Sequence, residues 1–161
     1  MFDGFDQWSS SPPAGPAVRG LDVLEACGRG QAGRRTAAVL AGILTAVAGG
    51  DKPSYRSYFD DDAVIDVVGL DRSRIGGVGP GESVTEVLFP DGFEIVVVRA
   101  AVCDDVGFAE VAIKGRVRTT GRLYVTPAVI SVQCRPRGLV SRYSEYTQVE
   151  RLYAASAPDP D

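Results

Sequence analysis

The chain contains no histidine, and that absence removes a whole set of chemistries. Ser–His and Cys–His nucleophilic pairs are excluded, as are an imidazole base and a histidine-rich zinc site. Any proton transfer falls to Asp, Glu, Tyr, Lys or Cys. Cysteine is scarce: Cys27, Cys103 and Cys134 are odd in number, widely spaced and free of any CxxC pair. This pattern argues against a disulfide framework or a metal site and fits buried free thiols in a reducing cytoplasm. Positive charge is not in excess either. Seventeen Lys and Arg stand against 21 Asp and Glu, a net charge of −4, whereas nucleic-acid binders concentrate cations. Arg116, Arg118 and Arg122 come nearest to a basic patch and read as a solvated strand face. No run approaches the ~20 apolar residues of a membrane span. The acidic start, Met1-Phe2-Asp3-Gly4-Phe5-Asp6, lacks the basic region of a secretory signal. The expectation is a cytoplasmic protein that binds neither nucleic acid nor membrane and uses no metal or cofactor.

At 161 residues the prior is one domain with a real core. Residues 1–18 carry Ser9-Ser10-Ser11-Pro12-Pro13 and Pro16, a composition that favours a flexible arm. Trp8, Phe2 and Phe5 are unusual in such an arm and suggest that it folds back on the domain or a partner. Residues 19–155 form the expected domain, and residues 156–161, where Pro and Asp alternate, a fraying tail. Leu21 and Leu24 suggest a short helix. Thr36, Val39, Leu40, Ile43, Leu44 and Val47 then follow the i, i+3, i+4, i+7 spacing of one buried helix face. Gly49-Gly50 ends that helix, and Pro53 opens a short one through Tyr58. Ala63 to Val68 reads as a strand, residues 76–81 as a loop and residues 82–89 as a third short helix.

Four strands follow, over 93–103, 107–118, 122–135 and 139–151. The turns at Asp104-Asp105, Thr120-Gly121 and Pro136-Arg137-Gly138 have the expected chemistry. Pro127, inside a strand, predicts a bulge or an edge position. Helices followed by a long antiparallel meander indicate an α+β fold with the helices on one face. This order encloses a cone-shaped pocket, and Glu145, near the end of the last strand, is well placed to point into it. Strand alternation puts Tyr143, Glu145 and Thr147 on one face and Arg142, Ser144 and Tyr146 on the other.

Two glycine-rich runs look like nucleotide sites and are not. Gly28-Arg29-Gly30-Gln31-Ala32-Gly33 matches GxGxxG, but a dinucleotide fold needs a second parallel strand closed by an acid. The candidate acid, Asp51, sits in Gly49-Gly50-Asp51-Lys52-Pro53, which cannot be a buried strand. In Gly76-Gly77-Val78-Gly79-Pro80-Gly81-Glu82-Ser83, Glu82 occupies the place of the phosphate-binding lysine.

The order of elements, with Asp61-Asp62-Ala63-Val64-Ile65 and the closing Arg142-Tyr143-Ser144-Glu145-Tyr146, resembles the nuclear-transport-factor-2-like cone fold over residues 34–153. Within it the chain is most similar to SnoaL-like polyketide cyclases, ketosteroid isomerases and limonene-type epoxide hydrolases. The resemblance implies a curved antiparallel sheet wrapped around N-terminal helices, paired as a homodimer through its outer face. It also implies that Glu145, ahead of an aromatic on the last strand, transfers protons; Tyr143, on the same strand face, would orient it or stabilise developing charge.

The departures from these families are specific. Asp66 is the candidate for the isomerase base on the first strand. Counted from Asp61-Asp62-Ala63 it falls one residue early, so Val67 takes the base position and Ile65 and Val67 form the wall unless a bulge shifts the phase. The isomerase oxyanion pair would correspond roughly to Ile43 and Ser131, neither of which can serve. The Arg and Asp of the epoxide hydrolases are missing from Phe108-Ala109-Glu110-Val111-Ala112-Ile113-Lys114. Glu110 and Lys114 share a face there and read as a solvated strand face, the alternative being a substitute polar pair. Tyr55, Tyr58 and Tyr124 are candidate hydroxyl donors to a ligand. The expected function is cofactor-independent, acid–base-assisted cyclisation, isomerisation or epoxide opening of an apolar polyketide-like intermediate. Its setting would be bacterial secondary metabolism, including antibiotic biosynthesis. The alternative is a non-catalytic binding or assembly module on the same cone.

Overall fold

The computed structural model describes residues 18–79 and 82–158. A two-residue strand β1 (Val18–Arg19) leads into helix α1 (Leu21–Cys27) and the long helix α2 (Gly30–Ala48). A short helix α3 (Lys52–Ser57) is capped by the Asp51 side chain, which accepts from the Ser54 amide at 3.1 Å. Strand β2 (Phe59–Val68) and helix α4 (Val84–Leu88) come next. The meander consists of β3 (Glu94–Cys103), β4 (Val106–Arg116), β5 (Leu123–Cys134) and β6 (Val140–Thr147), and helix α5 (Val149–Ser156) closes the chain.

All six strands belong to one sheet, in the order β1-β3-β4-β5-β6-β2. The meander pairs are antiparallel, as expected. The sheet is nevertheless mixed, because β1 joins β3 and β2 joins β6 in parallel. β2 is separated from β6 by α4 and the rest of the meander and is placed beside it by the curl of the sheet, so local patterning carries no sign of its direction.

The concave face is covered by α2. Leu40, Ile43 and Leu44 are fully buried against Ile95, Val97, Val111, Ile130 and Val132 in one core cluster. A second cluster joins Val87, Leu88 and Phe89 to Val117, Tyr124, Leu152 and Tyr153, and so fastens α4 and α5 to the sheet. Gly115 makes room between the two, since a Cβ there would lie 2.7 Å from Phe93 Cδ1 and 2.9 Å from Phe89 Cδ1.

Several expectations need correction. Residues 139–151 do not form one strand: β6 stops at Thr147 and residues 149–156 are helical. Val149, Leu152 and Tyr153 bury one helix face in the second cluster, and this tertiary contact overrides the strand-like run before it. Val18 is a strand residue rather than part of an arm. The remaining readings for the arm, including Trp8, Phe2 and Phe5, lie outside the described residues. Of the three cysteines only Cys134 is buried. Cys27 is half-buried, its thiol donating to the Ala100 carbonyl at 3.2 Å, and Cys103 is exposed. Pro127 sits in a central strand, opposite Ala112, without a bulge there. Pairing with β6 begins only at Ala128–Thr147, so Pro127 lies just beyond that ladder, on a local edge.

Candidate functional site

Between α2, α3, β2, the α4 segment and the concave sheet lies a cavity of about 760 Å³. This is within the range of small-molecule sites. Its depth is apolar, with Leu44, Phe89, Ile95, Ile113, Ile130 and Tyr143, all buried. Its mouth is charged, with Lys52, Arg56 and Arg72 facing several carboxylates.

Glu145 reaches this cavity from β6. It is opposite Ile130 of β5 and Val67 of β2, while Tyr143 is opposite Val132 and Ile65. Directly opposed residues share a face, so Tyr143, Glu145, Ile65 and Val67 look the same way. The Tyr143 hydroxyl donates to Glu145 Oε2 at 3.1 Å.

Burial pushes the Glu145 carboxyl above its ordinary value of 4.5, and the Tyr143 hydrogen bond opposes part of that rise. Burial and then the charge of Glu145 hold the Tyr143 hydroxyl well above its usual range. The same two causes push Tyr55 up to about 12. Tyr124 is also raised, by burial first, with the Thr147 hydrogen bond opposing and Glu145 adding to the rise. A carboxyl in this setting is fitted to exchange protons closer to neutrality than a solvated one.

Besides Tyr143, Tyr55 and Tyr124 line the cavity, and they differ in their partners. Tyr55 stacks on Phe59 at a centroid distance of 4.8 Å. Tyr124 lies 5.5 Å from Phe89, with its hydroxyl 3.4 Å from Thr147 Oγ1. Tyr58 does not line the cavity. Its ring lies against Gly42 of α2, where a Cβ would collide with the phenol. The expected hydroxyl donor at Tyr58 is thus a packing residue.

Asp66 borders the cavity but is exposed and opposite Ser144, on the other face from Glu145. A register shift does occur in β2, between Phe59 and Val64. It falls before the regular run from Val64 to Val68, and therefore leaves Val67 rather than Asp66 in line with Glu145. Ile43 is in the core, and Ser131 faces outward opposite Ser144. Glu110 pairs with Arg99 at 2.5 Å and Lys114 with Glu94 at 3.8 Å. Lys114 is only 9% exposed, so the solvated reading fails for it.

Sequence reasoning did not pick out Phe59, Phe89, Phe93 or the charged mouth. Phe59 precedes an acidic run that looks like a loop, and only α4 packing turns Phe89 and Phe93 inward. Among the described residues, no cluster of three or more Cys, Asp or Glu is arranged to hold a metal ion.

A long helix lying in a curled six-stranded sheet is the nuclear-transport-factor-2-like fold, shared with solved structures at low sequence identity. A protein from Jannaschia sp. assigned to the SnoaL-like polyketide cyclases superposes with a TM-score of 0.66 and 14% identity, over 82% of this chain and 98% of its own. A ketosteroid-isomerase-fold protein from Catenulispora acidiphila, solved with trimethylamine, gives 0.58 at 15% identity over 73% and 91%. An LEH-like epoxide hydrolase from M. tuberculosis gives 0.55 at 14% identity over 76% and 89%. No protein-family model and no curated protein matches the sequence.

Proposed function

We propose that this protein is a cofactor-independent enzyme that uses Glu145 for proton transfer to or from an apolar, polyketide-like molecule held in the cone. The reaction class is cyclisation, isomerisation or epoxide opening, and the setting is the cytoplasm of a bacterium making a secondary metabolite, an antibiotic among the possibilities. One observation supports this reading: Glu145, its carboxyl raised by burial and meeting the Tyr143 hydroxyl, reaches into the apolar depth of a cavity whose other charged groups lie at the mouth. Tyr143 is assigned to orient it, and Ile65, Val67, Tyr55 and Tyr124 to hold the molecule. Much of the acceleration would come from confining a flexible chain in a reactive fold.

The test is a panel of apolar epoxides and β,γ-unsaturated ketones assayed with wild type and Glu145→Gln. The variant keeps shape but cannot exchange a proton. It is expected to lose roughly two to four orders of magnitude in rate. Turnover by the variant at near wild-type rate would remove Glu145 from the chemistry.

A second reading, a non-catalytic binding module, is favoured by the positions of Ile43, Ser131, Glu110 and Lys114. None of them supplies a second polar group beside Glu145.

We also propose a homodimer through the convex face of the sheet. Val64, Val68, Phe108, Val129 and Tyr146 are all exposed there, at 39% or more. Tyr146 is opposite both Val129 and Val68, and apolar exposure of this kind marks an interaction surface.

A further inference from the structure

We propose that the cavity takes an apolar molecule bearing one positive charge, an amine or quaternary ammonium group seated against Glu145. This rests on the reading of Glu145 as the cavity's working group and names the chemistry of the molecule it meets.

The first support is what surrounds the carboxyl. Among the described residues Glu145 has no cationic partner, and its hydrogen bond is the one from Tyr143. The charged form of a partly buried carboxylate is costly, and it is relieved by taking up a proton or by a charge of opposite sign; a cationic ligand supplies the second.

The second support is the aromatic walls. On one side Tyr55 and Phe59 lie 4.8 Å apart, with Tyr143 edge-on to Phe59 at 5.9 Å. On the other, Phe89 lies 4.5 Å from Phe93 and 5.5 Å from Tyr124. All six rings line the cavity, and Glu145 acts electrostatically on both Tyr55 and Tyr124. Ring faces attract cations through their quadrupole and offer nothing to an anion.

The third support is the mouth. Besides Glu145, five carboxylates line the cavity against three cations; Asp60 is paired with Arg135 at 2.5 Å, and Lys52 and Arg56 both turn to Glu86 at 3.5 Å. Asp61 and Asp66 make no ion pair among the described residues. The resulting negative potential draws in a cation and repels an anion. Once a cation is docked, Glu145 is held ionised, which assigns it the role of proton acceptor.

Calorimetric titration of the full chain with octyltrimethylammonium, octanol and octanoate tests this, because the three share a tail and differ in head charge. The ammonium is expected to bind about tenfold tighter than the alcohol or better, with octanoate the weakest. Glu145→Gln should abolish that preference and keep the affinity for octanol, and Phe59→Leu should weaken the preference. If octanol matches the ammonium in wild type, or if Glu145→Gln keeps the full preference, charge selectivity is overturned. The proton-transfer role would then stand or fall on the rate measurement alone. If none of the three binds, both readings are overturned.

Discussion

At the scale of the residue, Glu145 and the Tyr143 hydroxyl that meets it are coupled inside the cone. Tyr143 donates the hydrogen bond that opposes the burial-driven rise. Tyr143→Phe should therefore move the Glu145 titration further upward, as read by carbon-detected NMR of labelled Glu. An unchanged midpoint would mean that the hydrogen bond has no influence on the carboxyl. Burial also links this group to stability. Its folded-state pKa is raised, so the native state holds the proton more tightly than the unfolded chain. The stability this contributes is complete below the unfolded value and is lost as pH rises through the folded one. Wild type and Glu145→Gln should then melt alike at about pH 4, with the variant gaining relative to wild type by about pH 8. A difference independent of pH would show that the carboxyl is not desolvated.

At the scale of the element, the register of β2 on β6 decides which residue of β2 faces the cone. Glu145 was readable from alternation along a single strand, because period two is a local property. The partner opposite it depends on how two distant strands align, and one step of register exchanges the faces. With Val67 opposite Glu145, Asp66→Asn should keep activity within a few-fold of wild type. A loss of about a hundredfold would restore Asp66 as a base. The long helix carries a separate constraint. Gly42 stands where Tyr58 packs, so Gly42→Ala should destabilise by about 1–3 kcal/mol through overpacking, against alanine's better helix propensity. Chemical denaturation measures this, and combination with Tyr58→Leu should recover most of the loss.

At the scale of the whole molecule, the convex face exposes several large apolar side chains with no partner in the described residues. Wild type is expected to sediment as a dimer at micromolar concentration. Phe108→Glu, opposite Ser131 on the exposed side of β4, is expected to sediment as a monomer with its fold intact by circular dichroism. A wild-type monomer would refute the dimer and leave the cone unaffected.

What the sequence by itself determined are the properties that depend on near neighbours. The absence of histidine confines proton transfer to a few side-chain types. The 3.6-residue spacing from Thr36 to Val47 sets the buried face of α2, and alternation across β6 puts Tyr143 and Glu145 together. Only the tertiary structure decided the parallel docking of β2, the helical end of the chain, the removal of Tyr58 to the packing of α2 and the inward turn of Phe89 and Phe93. Each of these depends on contacts between segments far apart in the chain, where curl of the sheet and complementarity of volume, rather than local preference, select the arrangement.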